Sequence, residues 1–247
     1  MRPRLQNLSR ALLVGAFWIA LWQLAAMAVG SALLLPGPWD TLRTLASLMG
    51  TAAFWKTVGM TLLRVGTGYI LGAVIGTTVG VLTAASPFLR TLLSPLRTVA
   101  KSTPVTSFII LVLLWLSATV TPVLIVFIMV TPMFWATTYQ GVVSADAQLL
   151  EMAAVFHLGR KKTLRHVYLP HILPQYIASS TTALGFAWKS GVAAEVIAAP
   201  AFSIGRSIIE SKLYVETPML FAWTMAVILL SVGLEKLIVA LLRRVKA

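Results

Sequence analysis

Two charged residues lie within a long apolar stretch, and their types and spacing suggest binding chemistry. Lys189 and Glu195 interrupt the stretch that begins at Val167. If that stretch crosses a membrane, each charge must face protein or a water-filled cavity. Six residues turn an α-helix by about 240°, so the two do not share a face. We expect Lys189 to face a water-filled pathway and attract an anionic group. We expect Glu195 to act in an outer gate or to pair with another helix.

Each of these two residues also has a purely structural interpretation. Lys189 could bond a backbone carbonyl that a helix kink has freed, and Glu195 could extend to the outer surface. Elsewhere the sequence shows no cluster of residues typical of catalysis or metal binding. It has no cysteine, and its three histidines show no zinc-type spacing with carboxylates. We predict no catalytic residue, no metal site and no cofactor.

The composition predicts an integral membrane protein. Of the 247 residues, 58% are hydrophobic and only 11% are charged, and the mean hydropathy is +0.89. A soluble domain carries about 25% charged residues. These values exclude a soluble enzyme, a disordered chain and a conventional DNA-binding domain. The net charge of +13 therefore does not predict a nucleic-acid partner.

The uncharged stretches predict an all-α, polytopic protein with six transmembrane helices, because about 20 residues cross the hydrocarbon layer. The Ser102–Ala145 stretch is long enough for two helices, with a turn at residues 117–122. The six predicted spans are Ala11–Leu35, Val65–Leu89, the two within Ser102–Ala145, one beginning in Val167–Trp188, and Thr217–Leu234.

The distribution of lysines and arginines predicts the orientation. With a cytoplasmic N-terminus, 14 of them fall on the inner side and 5 on the outer side or its flanks. Inner loops of membrane proteins carry such an excess. We therefore expect both termini in the cytoplasm.

Four glycines at four-residue spacing predict a close helix contact in the second span. They are Gly68, Gly72, Gly76 and Gly80. Glycines on one helix face let a neighbouring backbone approach closely, which is how membrane helices associate. The contact could slide within a moving bundle or be static.

The longest inner loop, Ser144–Pro174, predicts a short amphipathic helix. Leu149, Met152, Ala153 and Phe156 follow helical spacing and form one apolar stripe. Gly159 then allows a turn, and four basic residues follow it. The stripe must be covered by the membrane surface, by the protein's own helices, or by a groove on a partner.

This loop resembles the EAA motif of ABC importer permeases. Glu151-Met152-Ala153 occupies the EAA positions, and Leu169-Pro170 matches the end of the motif at the right spacing. His157 stands at the glycine position, with Gly159 two residues later. Thr61–Val65, Ser94–Leu96 and Ala194-Glu195 also resemble the nitrate/sulfonate/taurine-type branch of this family.

The resemblance implies a type I ABC importer permease fold, with the core at residues 57–242. Residues 1–56 would hold the N-terminal tail, first helix and outer loop, and residues 243–247 a cytoplasmic tail. Two copies, expected to be a homodimer, would form the translocation pathway in a bacterial plasma membrane. An extracytoplasmic solute-binding protein would deliver a small anion or vitamin precursor.

The resemblance also implies two cytoplasmic ATPase subunits, contacted through residues 144–170. The chain lacks a GxxxxGK[ST] segment, so ATP hydrolysis is expected in that separate subunit and not in this chain. A gated channel or a membrane-embedded enzyme, neither with an ATPase partner, are the alternatives. The residues implied in ATPase coupling are Leu149, Glu151, Met152, Ala153, Phe156, His157, Gly159, Leu169 and Pro170.

Overall fold

A computed structural model describes the backbone of residues 2–102 and 104–245, with side chains for residues 10, 12–100 and 104–240. In these residues the chain forms helices and no strands. A π-helical turn spans Leu164–Tyr168. The α-helices are α1 (Arg2–Val29), α2 (Pro38–Met49), α3 (Ala52–Ala85), α4 (Pro87–Ser102), α5 (Val105–Leu113), α6 (Thr121–Val143), α7 (Ala147–Val155), α8 (Arg160–Thr163), α9 (Leu169–Ala198), α10 (Ile204–Leu213) and α11 (Thr217–Val245).

The second predicted span is longer than the sequence indicated. α3 has 34 residues and begins at Ala52, after Thr51, whose hydroxyl accepts a hydrogen bond from the backbone N–H of Phe54 at 3.2 Å. The sequence-based start at Val65 was wrong because it treated Arg64 as a boundary. Arg64 lies inside α3 and is only 5% exposed, because a carboxylate from α9 neutralises it.

The all-helical fold is confirmed, whereas the count of six spans is not. Four helices of the described chain are long and apolar enough to cross a membrane, at Leu12–Val29, Ala52–Ala85, Thr121–Val143 and Thr217–Ala240. α9 is long enough, with 30 residues, but it carries Lys189, Glu195 and many serines and threonines. It is therefore not among the four helices apolar enough to count as spans.

The predicted span after Ser102 is too short to cross a membrane alone, because α5 has only nine residues. Pro87–Ala100 and Val105–Leu113 are bent by 98° relative to each other and together could make a fifth span. Pro104 stands at this break, and proline cannot donate the backbone hydrogen bond that a continuous helix needs. The predicted turn at 117–122 agrees with the structure, since α5 ends at Leu113 and α6 begins at Thr121.

α6 lies at the centre of the bundle, between α3 and α9. Its buried residues include Val126, Val130 and Phe134, which join Trp188 of α9 in the main apolar core. α3 and α6 run in parallel, since Gly68 meets Val126 and Gly80 meets Thr138. Segment 86–120 must therefore return along the bundle. We call the end where α6 leads into α7 the coupling end, and the opposite end the far end.

Candidate coupling and translocation sites

The segment after α6 presents an amphipathic helix at the coupling end. α7 begins at Asp146, whose carboxylate accepts a hydrogen bond from the backbone N–H of Gln148 at 2.8 Å. Within the apolar stripe only Ala153 is buried, at 3% exposure. Leu149, Met152 and Phe156 are 43%, 46% and 71% exposed. The stripe is therefore anchored at one point and otherwise uncovered by the described part of the chain.

His157 ends this helix in the conformation that normally selects glycine. Its φ is +48°, in the left-handed region. Its N–H donates to the carbonyl of Ala154 at 3.0 Å, and the N–H of Leu158 donates to that of Ala153 at 2.9 Å. This pair of bonds is a Schellman C-cap with His157 at the glycine position. The prediction that Gly159 provides the turn was wrong, because Gly159 has φ −62° and ψ 156°, which any residue adopts.

The two ends of the segment between α6 and α9 lie close together. The Ser144 hydroxyl and the His171 Nε2 are 3.2 Å apart. Gly141 of α6 also lies against Ile172 of α9. Leu169 and Pro170, the end of the predicted motif, form the first turn of α9 and are exposed. Glu151 is exposed on α7 as well. Residues 144–170 thus form a loop whose two ends contact each other and pack against the bundle. We call them the coupling segment.

Glu195 lies in a buried polar cluster near the far end. Its side chain is fully buried and pairs with Arg64 of α3 at 3.0 Å. The Thr61 hydroxyl donates to Glu195 Oε2 at 2.8 Å, and the backbone N–H of Gly205 donates to the same oxygen at 3.4 Å. Both carboxylate oxygens are thereby hydrogen-bonded, as a buried charge requires. Glu195 therefore joins α9 to α3 and does not extend to the outer surface.

Arg64 also holds the turn that follows α9. Its guanidinium donates to the carbonyl of Ala201 at 2.8 Å and of Phe202 at 3.1 Å. This turn contains two residues in the left-handed region, Ala199 at φ +45° and Phe202 at φ +51°. A non-glycine residue adopts that conformation at a cost of about 1–2 kcal/mol. The hydrogen bonds from Arg64 offset part of this cost and fix where α10 begins.

Lys189 lies on a different face of α9. Its neighbour Trp188 is buried in the main core, and its indole N–H donates to the carbonyl of Val227 at 3.1 Å. Lys189 itself is exposed, and no described acidic group lies within salt-bridge distance of it. The structure thus separates the two predicted pathway residues, since one is buried in an ion pair and one lies at the surface.

The four glycines of α3 all face α6. A Cβ at Gly68 or Gly76 would lie 2.5 Å from a carbonyl oxygen of α6, that of Val123 or of Thr131. At Gly72 and Gly80 it would lie within 2.9 Å of side-chain carbons of α6. Gly66, on the same helix, has nothing within 4 Å of that position. The four-residue spacing of the glycines therefore marks the face of α3 on which its backbone approaches that of α6.

Comparison with known proteins shows the family to which this chain belongs. The sequence pattern of the binding-protein-dependent transport system inner membrane component family matches residues 72–247. The chain belongs to this family. The predicted resemblance is confirmed, and the chain is a permease component of an ABC importer, not an enzyme.

Its relatives in this permease family align along most of their length. A probable ABC transporter permease of Brucella melitensis is 29% identical over 99% of this chain and 98% of its own. The putative aliphatic sulfonates permease of Bacillus subtilis is 27% identical over 86% and 78%. The taurine permease of Escherichia coli is 25% identical over 90% and 83%.

A solved structure has the same fold. It is a chain of the MetNI methionine ABC transporter in an inward-facing conformation, matched with a TM-score of 0.60. The match covers 84% of this permease and 96% of that chain, at 15% identity. At this identity the similarity supports the fold alone.

Sequence reasoning missed Arg64 as a functional partner. It counted Arg64 among the charges of the outer flank, although Thr61 and Arg64 lie three residues apart and so on one face of α3. Glu195 needed a cationic partner at similar depth, and this face supplies one. The sequence signal was therefore a buried acidic residue and a basic residue expected at the same depth on another helix.

Proposed function

We propose that this permease is one of two subunits lining the translocation pathway of an ATP-driven importer, and that it couples to a separate ATPase through the coupling segment. The observation that carries the proposal is the uncovered apolar stripe of α7. Three large apolar side chains, Leu149, Met152 and Phe156, are exposed on one face of a capped helix. A face of this kind fits an apolar groove on a partner.

The coupling end lies in the cytoplasm in this proposal, together with both termini. The basic residues of α8 and the π-helical turn, Arg160, Lys161, Lys162 and Arg165, belong to the coupling segment, and positive residues are retained on the inner side. The far end then faces the extracytoplasmic solute-binding protein. α10 and the turn fixed by Arg64 lie at that end and are available for this contact.

The cargo we propose is a small organic or inorganic anion, with a vitamin precursor as the neutral alternative. Relatives are named for aliphatic sulfonates, taurine and bicarbonate. Lys189 is an exposed cation on α9 and supports an anionic cargo. The second subunit is proposed to be a copy of the same chain.

Co-purification tests this proposal. The chain is expressed with its cognate ATPase subunit, and a Leu149→Asp/Met152→Asp variant is compared with Ala154→Asp. Ala154 is exposed on the opposite face of α7, so Ala154→Asp controls for placing an aspartate in this helix away from the stripe. We expect the double variant to lose the ATPase and Ala154→Asp to keep it. Equal recovery of the ATPase by both would refute coupling through this stripe.

A further inference from the structure

A cationic pocket lies between α3, α4 and α6 near the coupling end. Its volume is about 160 Å³, and it is lined by Thr83, Arg90, Ser94, Arg97, Trp135 and Tyr139. The Arg90 guanidinium lies 5.2 Å from the centre of the Tyr139 ring, and that of Arg97 lies 5.9 Å from the Trp135 ring. Stacking on a ring leaves the in-plane N–H donors of a guanidinium able to bind an oxyanion.

No acidic side chain in the described part of the chain neutralises this pair of arginines. The chain has seven Asp and Glu residues, and none of them lines the pocket. The salt bridges found in the described residues involve only Glu195 and Glu210. Arg90 is exposed and Arg97 is partly buried, and their two positive charges favour an anion at this pocket.

An apolar cavity of about 320 Å³ adjoins the pocket and shares Arg97 and Trp135 with it. Apart from these two residues, almost all of its wall is hydrocarbon. Side chains from three helices contribute, including Ile75 and Val79 of α3, Leu93 of α4 and Phe127 of α6. A cationic pocket that continues into an apolar cavity fits an amphiphile with an anionic head.

α4 is amphipathic and runs from the coupling end along α3 and α6, since Arg90 lines a pocket with Tyr139 and Ala100 lines one with Phe127. Phe88, Leu92 and Leu96 are exposed at four-residue spacing, and Arg90 and Arg97 lie on another face. The helix contains no acidic residue. Basic residues at the inner surface of a membrane attract anionic lipids. Tyr139 lies only one turn before the end of α6, so the pocket is at the level of the leaflet on the coupling side.

We infer that this groove binds an anionic phospholipid, with its phosphate between Arg90 and Arg97 and an acyl chain in the apolar cavity. Charge complementarity selects the anionic head. The adjoining cavity favours a lipid over an inorganic anion, which would leave it unfilled. A soluble alkyl anion shares the same chemistry, and the test below separates the two sources.

Native mass spectrometry of the full chain, purified in neutral detergent with added lipid, tests this inference. We expect retention of phosphatidylglycerol and little retention of phosphatidylcholine. Arg90→Gln/Arg97→Gln should weaken phosphatidylglycerol binding about tenfold or more, since each basic residue near a membrane surface contributes ~1 kcal/mol. Arg206→Gln/Lys212→Gln removes two charges from α10 and should leave binding unchanged.

Two further experiments decide between a phospholipid and a soluble anion as the ligand. Leu93→Trp fills the apolar cavity without changing charge and should weaken phosphatidylglycerol binding as well. Inorganic phosphate and octanesulfonate, added separately in excess, should fail to displace the lipid. Displacement by octanesulfonate below the lipid concentration would overturn the lipid assignment in favour of a soluble alkyl anion. Displacement by phosphate, with Leu93→Trp binding like the wild type, would leave only an inorganic-anion site.

The charge-preserving variant Arg90→Lys/Arg97→Lys keeps the result interpretable if the glutamine variant fails to fold. We expect it to retain phosphatidylglycerol within about threefold of the wild type, because the surface charge is kept. The inference is overturned if the glutamine variant folds and binds phosphatidylglycerol as the wild type does. It is equally overturned if the wild type does not distinguish phosphatidylglycerol from phosphatidylcholine.

Discussion

At the residue scale, the buried pair of Arg64 and Glu195 joins α3 to α9 across 131 positions of sequence. Breaking a buried pair leaves an uncompensated charge, whereas removing both partners does not. The same logic explains why the two residues are tolerated in buried positions: Arg64 also donates to the turn after α9, and Glu195 also accepts from Thr61 and Gly205. Their contribution is to position that turn more than to add net stability.

We predict that Arg64→Met lowers the free energy of unfolding by about 3–5 kcal/mol, because Glu195 would be left buried without a cation. The double variant Arg64→Met/Glu195→Leu should recover most of this loss. Thermal unfolding in detergent measures both. Arg206→Met, which breaks the exposed pair with Glu210, is the control and should cost less than about 1 kcal/mol. A double variant no more stable than Arg64→Met would contradict this account.

His157 provides a second test at this scale. Its φ of +48° costs a non-glycine residue about 1–2 kcal/mol, so His157→Gly should stabilise the isolated permease by about 1 kcal/mol. Gly159→Ala should be nearly neutral, since Gly159 has φ −62° and no atom within 4 Å of an added Cβ. Thermal unfolding of the two variants checks the assignment. Loss of stability in Gly159→Ala together with no gain from His157→Gly would move the turn back to Gly159.

Lys189 is tested by transport. We expect Lys189→Met to lower uptake of an anionic cargo about tenfold at limiting concentration, the equivalent of ~1.4 kcal/mol of lost attraction. Lys212→Met removes an exposed charge from α10 and should have no such effect. Uptake in reconstituted vesicles containing the whole transporter gives the comparison. Unchanged uptake by Lys189→Met would exclude contact between this residue and the cargo.

At the scale of elements, α3 and α6 form a close pair because glycine recurs on the face of α3 that meets α6. We predict that Gly76→Ala destabilises the protein by about 1–3 kcal/mol, because its Cβ would lie 2.5 Å from the carbonyl oxygen of Thr131. Gly66→Ala changes the same residue type on the same helix where nothing lies within 4 Å, so it should be neutral or slightly stabilising. Similar unfolding temperatures for the two variants would show that the α3–α6 contact is not rigid.

Some of these elements were predictable from the sequence and others were not. Helical spacing revealed the stripe of α7, and four-residue spacing revealed the glycine face, because both are local patterns. The pairing of Arg64 with Glu195 was not predictable from spacing, since it depends on two helices distant in sequence. The extent of α3 and the break between α4 and α5 were missed because charged residues were treated as span boundaries.

At the scale of the whole molecule, the bundle connects its two ends. The coupling segment leads directly into α9, and α9 ends in Glu195 and the turn held by Arg64. A displacement of the coupling segment by an ATPase would therefore reach the far end along one helix. Such a linkage requires a bundle with two discrete arrangements, each favoured by a different partner. The seating of α7 on the ATPase is the step on which this account depends.

Site-specific cross-linking tests that step most directly, because the chain has no native cysteine. Met152→Cys and the control Leu213→Cys are each introduced into the assembled transporter, and a short reagent that joins a cysteine thiol to a lysine amine is added. Met152 lies on the stripe of α7, and Leu213 is exposed on α10 at the far end. We predict a cross-link to the ATPase from position 152 and none from position 213. A transporter that hydrolyses ATP, yields no ATPase cross-link from position 152 and leaves that cysteine labelled by a lipid-phase reagent would contradict the account.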